Sequence, residues 1–204
     1  IVALASGVHD LDLDTGAVKM RAPSPLAKDV SLHEGRCDPS GRFWIGSCHD
    51  EFLHTGKRGI GFLFRMDGNK LTPMADNFTV ANSLAFSNDG RTIYLGDSVT
   101  GVIRAWDCDP ATGNLSKERD FIRYPAVLGK NGLDGAHIDS EGCYWSAAFG
   151  ESALKRWRPD GTPDMEIKLP FTQPTMLTFG GKDLDTIYVT TSYMMIDDEA
   201  RRRQ

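Results

Sequence analysis

Short hydrophobic segments with alternating polar residues follow one another along most of the chain, and turn residues separate them. In VANSLAFSNDGRTIYLGDS, residues 80–98, two such segments flank an Asp-Gly pair. Alternation with a period of two is typical of half-buried strands, and Asp-Gly is a common hairpin turn. The pattern therefore predicts an all-β protein. Helical periodicity is confined to DDEARRRQ, residues 197–204, which we expect to form a solvated helix end.

The strand pattern repeats. Four segments combine a turn with a strand that carries one aromatic residue in register: DPSGRFWIGS, SNDGRTIYLGDS, DSEGCYWSAAF and KDLDTIYVTTS. A weaker hairpin follows each of the first three. Four strands per roughly 40–50 residues are typical of β-propeller blades. We expect one propeller domain over residues 1–204, with about four blades, of which the first and last are partial because the chain is truncated at both ends.

Composition and charge narrow the classes of partner. The chain has 204 residues, of which 40% are hydrophobic and 25% charged, and its net charge is −5. A weakly acidic surface argues against nucleic acid or an anionic membrane as a partner. No apolar run reaches the roughly 18 residues that a membrane span needs. A small-molecule ligand is the remaining expectation, and the sequence leaves the oligomeric state open.

The four cysteines show no metal-binding spacing. Cys37, Cys48, Cys108 and Cys143 contain no CxxC pair, and each lies in or beside a predicted strand. Buried, reduced thiols are the simplest interpretation, and they are typical of proteins from reducing compartments. We therefore expect four reduced cysteines and a cytoplasmic protein.

Polar side chains stand at the start of the first strand of each repeat. Aligned on the downstream turn, these positions are Glu34, Asn82, Asp134 and Thr175, and His33 precedes the first of them. The first strands of propeller blades line the central channel, so these side chains would converge at one mouth of that channel. The alternative is that Asp134 belongs to a surface turn and that Asn82 caps a strand end by bonding to backbone.

If the residues do converge, their chemistry favours a metal ion. An amide carbonyl and a carboxylate are hard oxygen donors, which suit Ca²⁺, Mg²⁺ or Mn²⁺, and Zn²⁺ also accepts carboxylate and water. A cation at a channel mouth can polarise a carbonyl and lower the pKa of a bound water. Such a site suits the hydrolysis of an ester or a lactone.

At these residues the sequence resembles the senescence-marker-protein/gluconolactonase family, which includes regucalcin. The motifs that carry the resemblance are HEGRCDPSGRFWIGS, VANSLAFSNDGRTIYLGDS, DPATGNLSKERDF, LDGAHIDSEGCYW and FGGKDLDTIYVTTS. The resemblance implies a six-bladed propeller that hydrolyses sugar lactones with one divalent cation. It implies that Asn82 and Asp134 are metal ligands, with Asp134 also catalytic. A third ligand, a glutamate in an EGP-like strand, has no counterpart here.

The substrate-reading stretch departs from the family pattern. Where the family often has Arg-x-Asn-Asp-Gly, this chain has SLHEG, so that Ser31 replaces the arginine and His33 the asparagine. We expect His33, Glu34 and Ser31 to contact substrate, with His33 facing the cavity. The metal pair is thus retained while the residues that read the sugar differ.

Three functions compete at this point. The first is a metal-dependent lactonase, with calcium as the preferred ion and zinc, magnesium or manganese as alternatives. The second is a calcium-binding propeller or interaction scaffold without turnover. The third is an esterase of broader specificity. A lactone-hydrolysis assay with and without a chelator separates the first two.

Overall fold

Residues 1–194 are described by a computed structural model, and the helix expected at residues 197–204 lies outside them. The described part contains seventeen strands in five antiparallel sheets and no α-helix, which confirms the all-β prediction. Within this range, no helix is long and apolar enough to cross a membrane.

Strand order within each sheet follows the chain, so every sheet is a meander. The first sheet has three strands: β1 Val2–Leu4, β2 Gly7–Leu11 and β3 Val18–Pro23. Three sheets have four strands each: β4 Val30–Cys37, β5 Phe43–His49, β6 Gly61–Asp67 and β7 Lys70–Phe78; β8 Ala81–Phe86, β9 Thr92–Asp97, β10 Val102–Cys108 and β11 Leu115–Arg123; β12 Gly132–Ile138, β13 Tyr144–Phe149, β14 Ala153–Trp157 and β15 Pro163–Lys168. The fifth sheet pairs β16 Pro174–Gly180 with β17 Thr186–Thr191.

The sheets are propeller blades. Strands β4, β8, β12 and β16 each start a blade, and neighbours in this series pack against one another. About four blades were expected, the first and last of them partial, whereas residues 1–194 form five sheets, of which the first and last are incomplete. The difference arises at the start, where β1, β2 and β3 form a sheet of their own instead of completing a later blade.

In two of the four repeats, the aromatic residue that marks the repeat is a tryptophan bonded to the aspartate of the preceding turn. In the second sheet, Asp38 accepts hydrogen bonds from the backbone N–H groups of its own turn and from Trp44 Nε1 at 3.0 Å. In the fourth sheet, Asp139 does the same, with Trp145 Nε1 at 2.8 Å. These hydrogen bonds connect the turn to the second strand of the blade, so that the position of the turn aspartate fixes the register of the two strands.

The core lies between facing blades. Trp44 and Leu63 of the second sheet pack with Leu95 and Trp106 of the third in one buried cluster. A second cluster joins the third and fourth sheets, and Tyr144 lies at its centre with no exposed surface. Burial of these aromatic and aliphatic side chains fixes each blade against the next and so positions the first strands around the channel.

All four cysteines are free thiols. Cys48, Cys108 and Cys143 are buried, and Cys37 is exposed at the end of β4. Burial raises the pKa of the Cys48 thiol to about 12, with smaller contributions from the charges of Asp50 and Asp97. A thiol of this kind is inert as a nucleophile.

Candidate functional site

The first strand of each complete blade is interrupted at the same place. Its pairing with the second strand shifts register at one position per blade, and β16 shows the same irregularity. The shifts lie between Leu32 and Gly35, Asn82 and Ala85, Leu133 and Ala136, and Pro174 and Met176. A bulge of this kind bends the strand and re-aims the side chains within it. In each of β4, β8, β12 and β16, the bulge therefore changes the direction of a side chain that would otherwise follow the alternation of the strand.

Two of these bulges bring together the predicted metal ligands. Asn82 Nδ2 donates to Asp134 Oδ1 at 2.7 Å, although the residues lie in different blades. Asn82 is 5% exposed, and its Oδ1 accepts from the N–H of Ser83 at 3.1 Å. Both side chains line one cavity of about 140 Å³. The contact and the position of Asp134 within β12 argue against a surface turn for Asp134, while the bond from the Ser83 N–H shows that Asn82 also binds backbone, as the alternative expected.

Sequence reasoning missed the residue that holds this pair in place. Ser83 is buried and has a φ of 63°, a left-handed conformation that is uncommon outside glycine. Its Oγ donates to the backbone carbonyl of Asp134, and Tyr144 donates its hydroxyl proton to the Ser83 carbonyl at 2.7 Å. These contacts join the two bulges.

Register corrects one alignment. The turn residues Asp38 and Asp139 occupy equivalent places, and counting back from each reaches His33 and Asp134. The position equivalent to Asp134 is therefore His33, and Glu34 is one residue out of phase. The sequence itself carries this phase, because His33 and Asp134 each precede the aspartate of the downstream turn by five positions (38−33 and 139−134).

His33 lies in the wall of the cavity, with Asn82 and Asp134. Its Nδ1 is 3.0 Å from the carbonyl oxygen of Ala81. A carbonyl only accepts, so Nδ1 carries the proton, and in the neutral ring Nε2 is left as an acceptor. The imidazole is thereby held in one orientation at the mouth of the channel.

Glu34 is half-buried and is not part of the cavity wall. Its Oε2 accepts from the N–H of Leu84 at 2.8 Å, which is a donor released by the bulge, while Oε1 is inaccessible to solvent and has no hydrogen-bond partner. Burial raises the pKa of this carboxyl to about 8, and the nearby Arg36 charge opposes that rise. Arg36 crosses the channel and donates to the carbonyl oxygen of Ala136 at 2.7 Å.

The third residue expected to read substrate is also outside the cavity wall. Ser31 donates its hydroxyl proton to Asp50 Oδ2 at 3.0 Å. Among His33, Glu34 and Ser31, the structure therefore brings only His33 to the cavity that Asn82 and Asp134 share.

Asp134 carries an incompletely compensated charge. Burial raises the pKa of its carboxyl to about 6, against the opposing effects of the Asn82 hydrogen bond and of His33. The carboxyl is still mostly ionised at neutral pH, because that pH lies above the raised pKa. No salt bridge to Asp134 is present among residues 1–194, so the carboxylate lacks a direct cationic partner.

The donors at the cavity fit part of a cation site. Within the described residues, no group of three or more His, Cys, Asp and Glu side chains could hold a metal. Asn82 and Asp134 nevertheless supply an amide and a carboxylate side by side, and a cation would compensate the buried charge. Hard divalent cations take such oxygens together with water. The pair therefore fits as two members of a ligand set.

Relatives with sequence similarity are lactonases and regucalcins by name. A 6-deoxy-6-sulfogluconolactonase from Pseudomonas putida is 39% identical over 197 residues, covering 94% of this chain and 65% of the relative. A putative sugar lactone lactonase from Rhizobium meliloti is 31% identical over 83% of this chain and 56% of its own length. The chain thus spans less than two thirds of either relative.

Solved structures show the same fold. The crystal structure of a calcium-binding protein, regucalcin, from Agrobacterium tumefaciens matches with a TM-score of 0.88 and 29% identity, over 98% of this chain and 66% of that one. A gluconolactonase from Xanthomonas campestris matches with a TM-score of 0.70 over 92% of this chain and 63% of that one, at 22% identity, and supports the fold alone.

A sequence model of the family agrees with both comparisons. The model described as "SMP-30/Gluconolactonase/LRE-like region" matches residues 1–193, which is almost the entire chain. It therefore includes all of the blades described above and both residues of the Asn82–Asp134 pair. On this evidence, the chain belongs to the SMP-30/gluconolactonase/LRE-like family.

Proposed function

We propose that the protein hydrolyses a sugar lactone at the cavity that contains Asn82 and Asp134, with the help of one divalent cation. The observation that carries this proposal is the convergence of an amide and a buried carboxylate from neighbouring blades, 2.7 Å apart. Lactonases among the relatives support the reaction class. The names of the relatives range from a sulfonated gluconolactone to L-arabinolactone, so they leave the sugar open.

Asp134 is the proton carrier in the proposed reaction. The oxygen of a water molecule forms a bond to the lactone carbonyl carbon, and Asp134 takes the proton that this water loses. The bond between the carbonyl carbon and the ring oxygen then breaks, and the proton passes to that oxygen, which leaves an open hydroxy acid. A carboxylate held beside the attacking water can accept the proton that this water loses.

Asn82 and Asp134 would hold the cation, which when bound polarises the lactone carbonyl and lowers the pKa of the attacking water. Calcium is our first choice because both donors are hard oxygens and one similar structure is titled a calcium-binding protein. Zinc, magnesium and manganese are the alternatives. Ser83 and Tyr144 keep Asn82 and Asp134 together whether or not a cation is bound.

The assay that tests this function measures acid release from aldonolactones by the full-length protein, before and after chelation. We expect chelation to lower turnover by about two orders of magnitude or more, since removal of the cation removes its stabilisation of the developing oxyanion. Restoring one divalent cation should restore the rate. Undiminished turnover by protein shown to be metal-free would contradict the proposal.

The same assay addresses the two alternative functions. A calcium-binding protein or interaction scaffold would bind the cation tightly without opening any lactone, and the similarity to a calcium-binding regucalcin supports this alternative. A broad esterase would cleave acyclic esters as fast as lactones. The apolar side chains in the cavity wall, such as Phe52, Val80 and Phe149, are compatible with such substrates.

His33 is expected to influence substrate preference more than cation binding. His33→Ala removes one acceptor for a substrate hydroxyl, which should cost roughly 0.5–1.5 kcal/mol, or about 2- to 12-fold in kcat/KM, on substrates that use it. Kinetics on lactones that differ in one hydroxyl, with cation affinity measured alongside, check this. His54→Ala is the control, because His54 is exposed and outside the cavity wall. Uniform loss on all lactones together with lost cation affinity would show a structural or ligand role.

We also propose a reducing compartment, such as the cytoplasm, as the location of the protein. The four free cysteines support this proposal, since three are buried without any disulfide partner. Fractionation of the cells that produce the protein, followed by its detection in each fraction, tests this location. Recovery from an oxidising compartment would contradict it.

A further inference from the structure

Among residues 1–194, one lysine or arginine side chain belongs to the wall of the cavity. Lys130 lies beside the same cavity as Asn82 and Asp134, and it immediately precedes the strand that carries Asp134. The other side chains in the wall that can ionise are His33 and Cys48. The burial-raised pKa of Cys48, about 12, keeps that thiol neutral. Lys130 is therefore the fixed positive charge that residues 1–194 contribute to the wall of this cavity.

The turn that presents Lys130 is well fixed. The N–H of Lys130 donates to the carbonyl oxygen of Val127 at 2.9 Å, which closes the turn. Asn131 Oδ1 accepts from the N–H of Val127 at 3.0 Å, while its Nδ2 donates to Glu151. The backbone on either side of Lys130 is thus held by its neighbours, although the side chain itself is exposed.

Nearby carboxylates are already engaged elsewhere. Glu151 pairs with Lys155 Nζ at 2.7 Å and also accepts from Asn131. Asp97 accepts from the backbone N–H groups of Thr79, Val80 and Val99. No ion pair or side-chain hydrogen bond of Lys130 is found in residues 1–194. By contrast, the exposed Lys57 and Lys168 each pair with a carboxylate.

The position of Lys130 relative to Asp134 sets which end of a substrate it can meet. Four residues separate them, so at most about 13 Å of extended backbone lies between their Cα atoms. In the proposed reaction the reacting carbonyl belongs at Asn82 and Asp134, and Lys130 lies in the wall of the same cavity, where it meets another part of the bound lactone. Ser31, at the position where the family often has arginine, donates to Asp50 and supplies no charge.

From this arrangement we propose that Lys130 makes the site selective for sugar lactones that carry an anionic group, such as a sulfonate, carboxylate or phosphate, at the end remote from the lactone carbonyl. The inference rests on the proposed lactonase function and specifies its substrate class. A charge-assisted hydrogen bond from the ammonium group to such an anion is stronger than one to a neutral hydroxyl. It would strengthen binding without taking part in the ring opening.

The test compares two six-carbon aldonolactones that differ only at C6, one with a hydroxyl and one with a sulfonate. We expect the wild-type protein to favour the sulfonate, and Lys130→Gln to lower kcat/KM for it by about tenfold or more. The neutral lactone should change by less than about twofold. Lys130→Arg should retain the preference, and the preference should shrink as ionic strength rises.

Lys168→Gln is the matched control, because Lys168 lies in the same blade on the outer strand and outside the cavity. It removes the same charge and should leave the preference unchanged. Equal kcat/KM for both lactones in the wild type, or equal loss on both in Lys130→Gln, would overturn the inference while leaving the lactonase function intact. If neither lactone is opened, the lactonase function fails. Calorimetry with the ring-opened sulfonated and neutral acids then decides on Lys130, since equal affinities would overturn its role.

Discussion

Asp134→Asn is expected to lower lactone turnover by about two orders of magnitude or more, which is the range for loss of a positioned acid–base group. Asparagine keeps the shape of the side chain and an oxygen for a cation. It removes the full negative charge and the ability to accept a proton from water. Initial rates of acid release at saturating lactone measure the effect, and thermal unfolding shows whether the variant is folded.

Asn82→Asp is the matched variant for this test. Asp134→Asn removes a carboxylate from the hydrogen-bonded pair, whereas Asn82→Asp adds a second carboxylate to it. We expect it to keep cation binding, because a carboxylate is a good ligand for hard cations. If Asp134→Asn binds the cation and turns over lactone at nearly the wild-type rate, the pair has no catalytic role. The two polar side chains would then have only a structural role at the bulges of β8 and β12.

The second large effect concerns Glu34 and the dependence of stability on pH. The pKa of its carboxyl rises from an ordinary 4.5 to about 8 in the folded protein because of burial. The folded state therefore holds a proton that the unfolded state has lost between these two values. The contribution of Glu34 to stability is fully present below about pH 4.5 and is lost as pH rises towards 8. We expect the loss to reach about 2–4 kcal/mol in unfolding free energy.

Glu34→Gln should remove this loss. Glutamine resembles the protonated acid, with one acceptor for the N–H of Leu84 and a donor in place of the acidic proton. Denaturant unfolding of both proteins at several pH values from 5 to 8 measures the difference. Subtracting the two curves removes carboxylates such as Asp38 and Asp139, whose lowered pKa values act in the opposite direction.

Glu166→Gln provides the control for the pH experiment. Glu166 is exposed on an outer strand, and the Lys168 hydrogen bond lowers the pKa of its carboxyl. Its removal should leave the decline of stability with pH in place. Parallel pH curves for wild type and Glu34→Gln would mean that Glu34 is ionised and solvated in the folded protein, against the buried position described here.

The fold and the central pair were predictable because their signals are local or periodic. Alternation predicted the strands, and the turn aspartates with their tryptophans marked the second strand of two blades. Equivalent residues of neighbouring blades meet at the channel by symmetry. This is why Asn82 and Asp134, one blade apart in the sequence, could be paired before any distance was known.

Only the tertiary structure decided which neighbouring side chains share the cavity. His33 lies in the cavity wall and Glu34 does not, and at the bulge in β8 the left-handed Ser83 offers its carbonyl oxygen to the Tyr144 hydroxyl. Lys130 reaches the same cavity through a turn whose place depends on contacts with Asn131 and Glu151. Strand periodicity and turn chemistry act between residues close in sequence, and one chain suffices to determine them. The location of a bulge and the cavity wall reached by a turn depend on packing between blades, which no local pattern encodes.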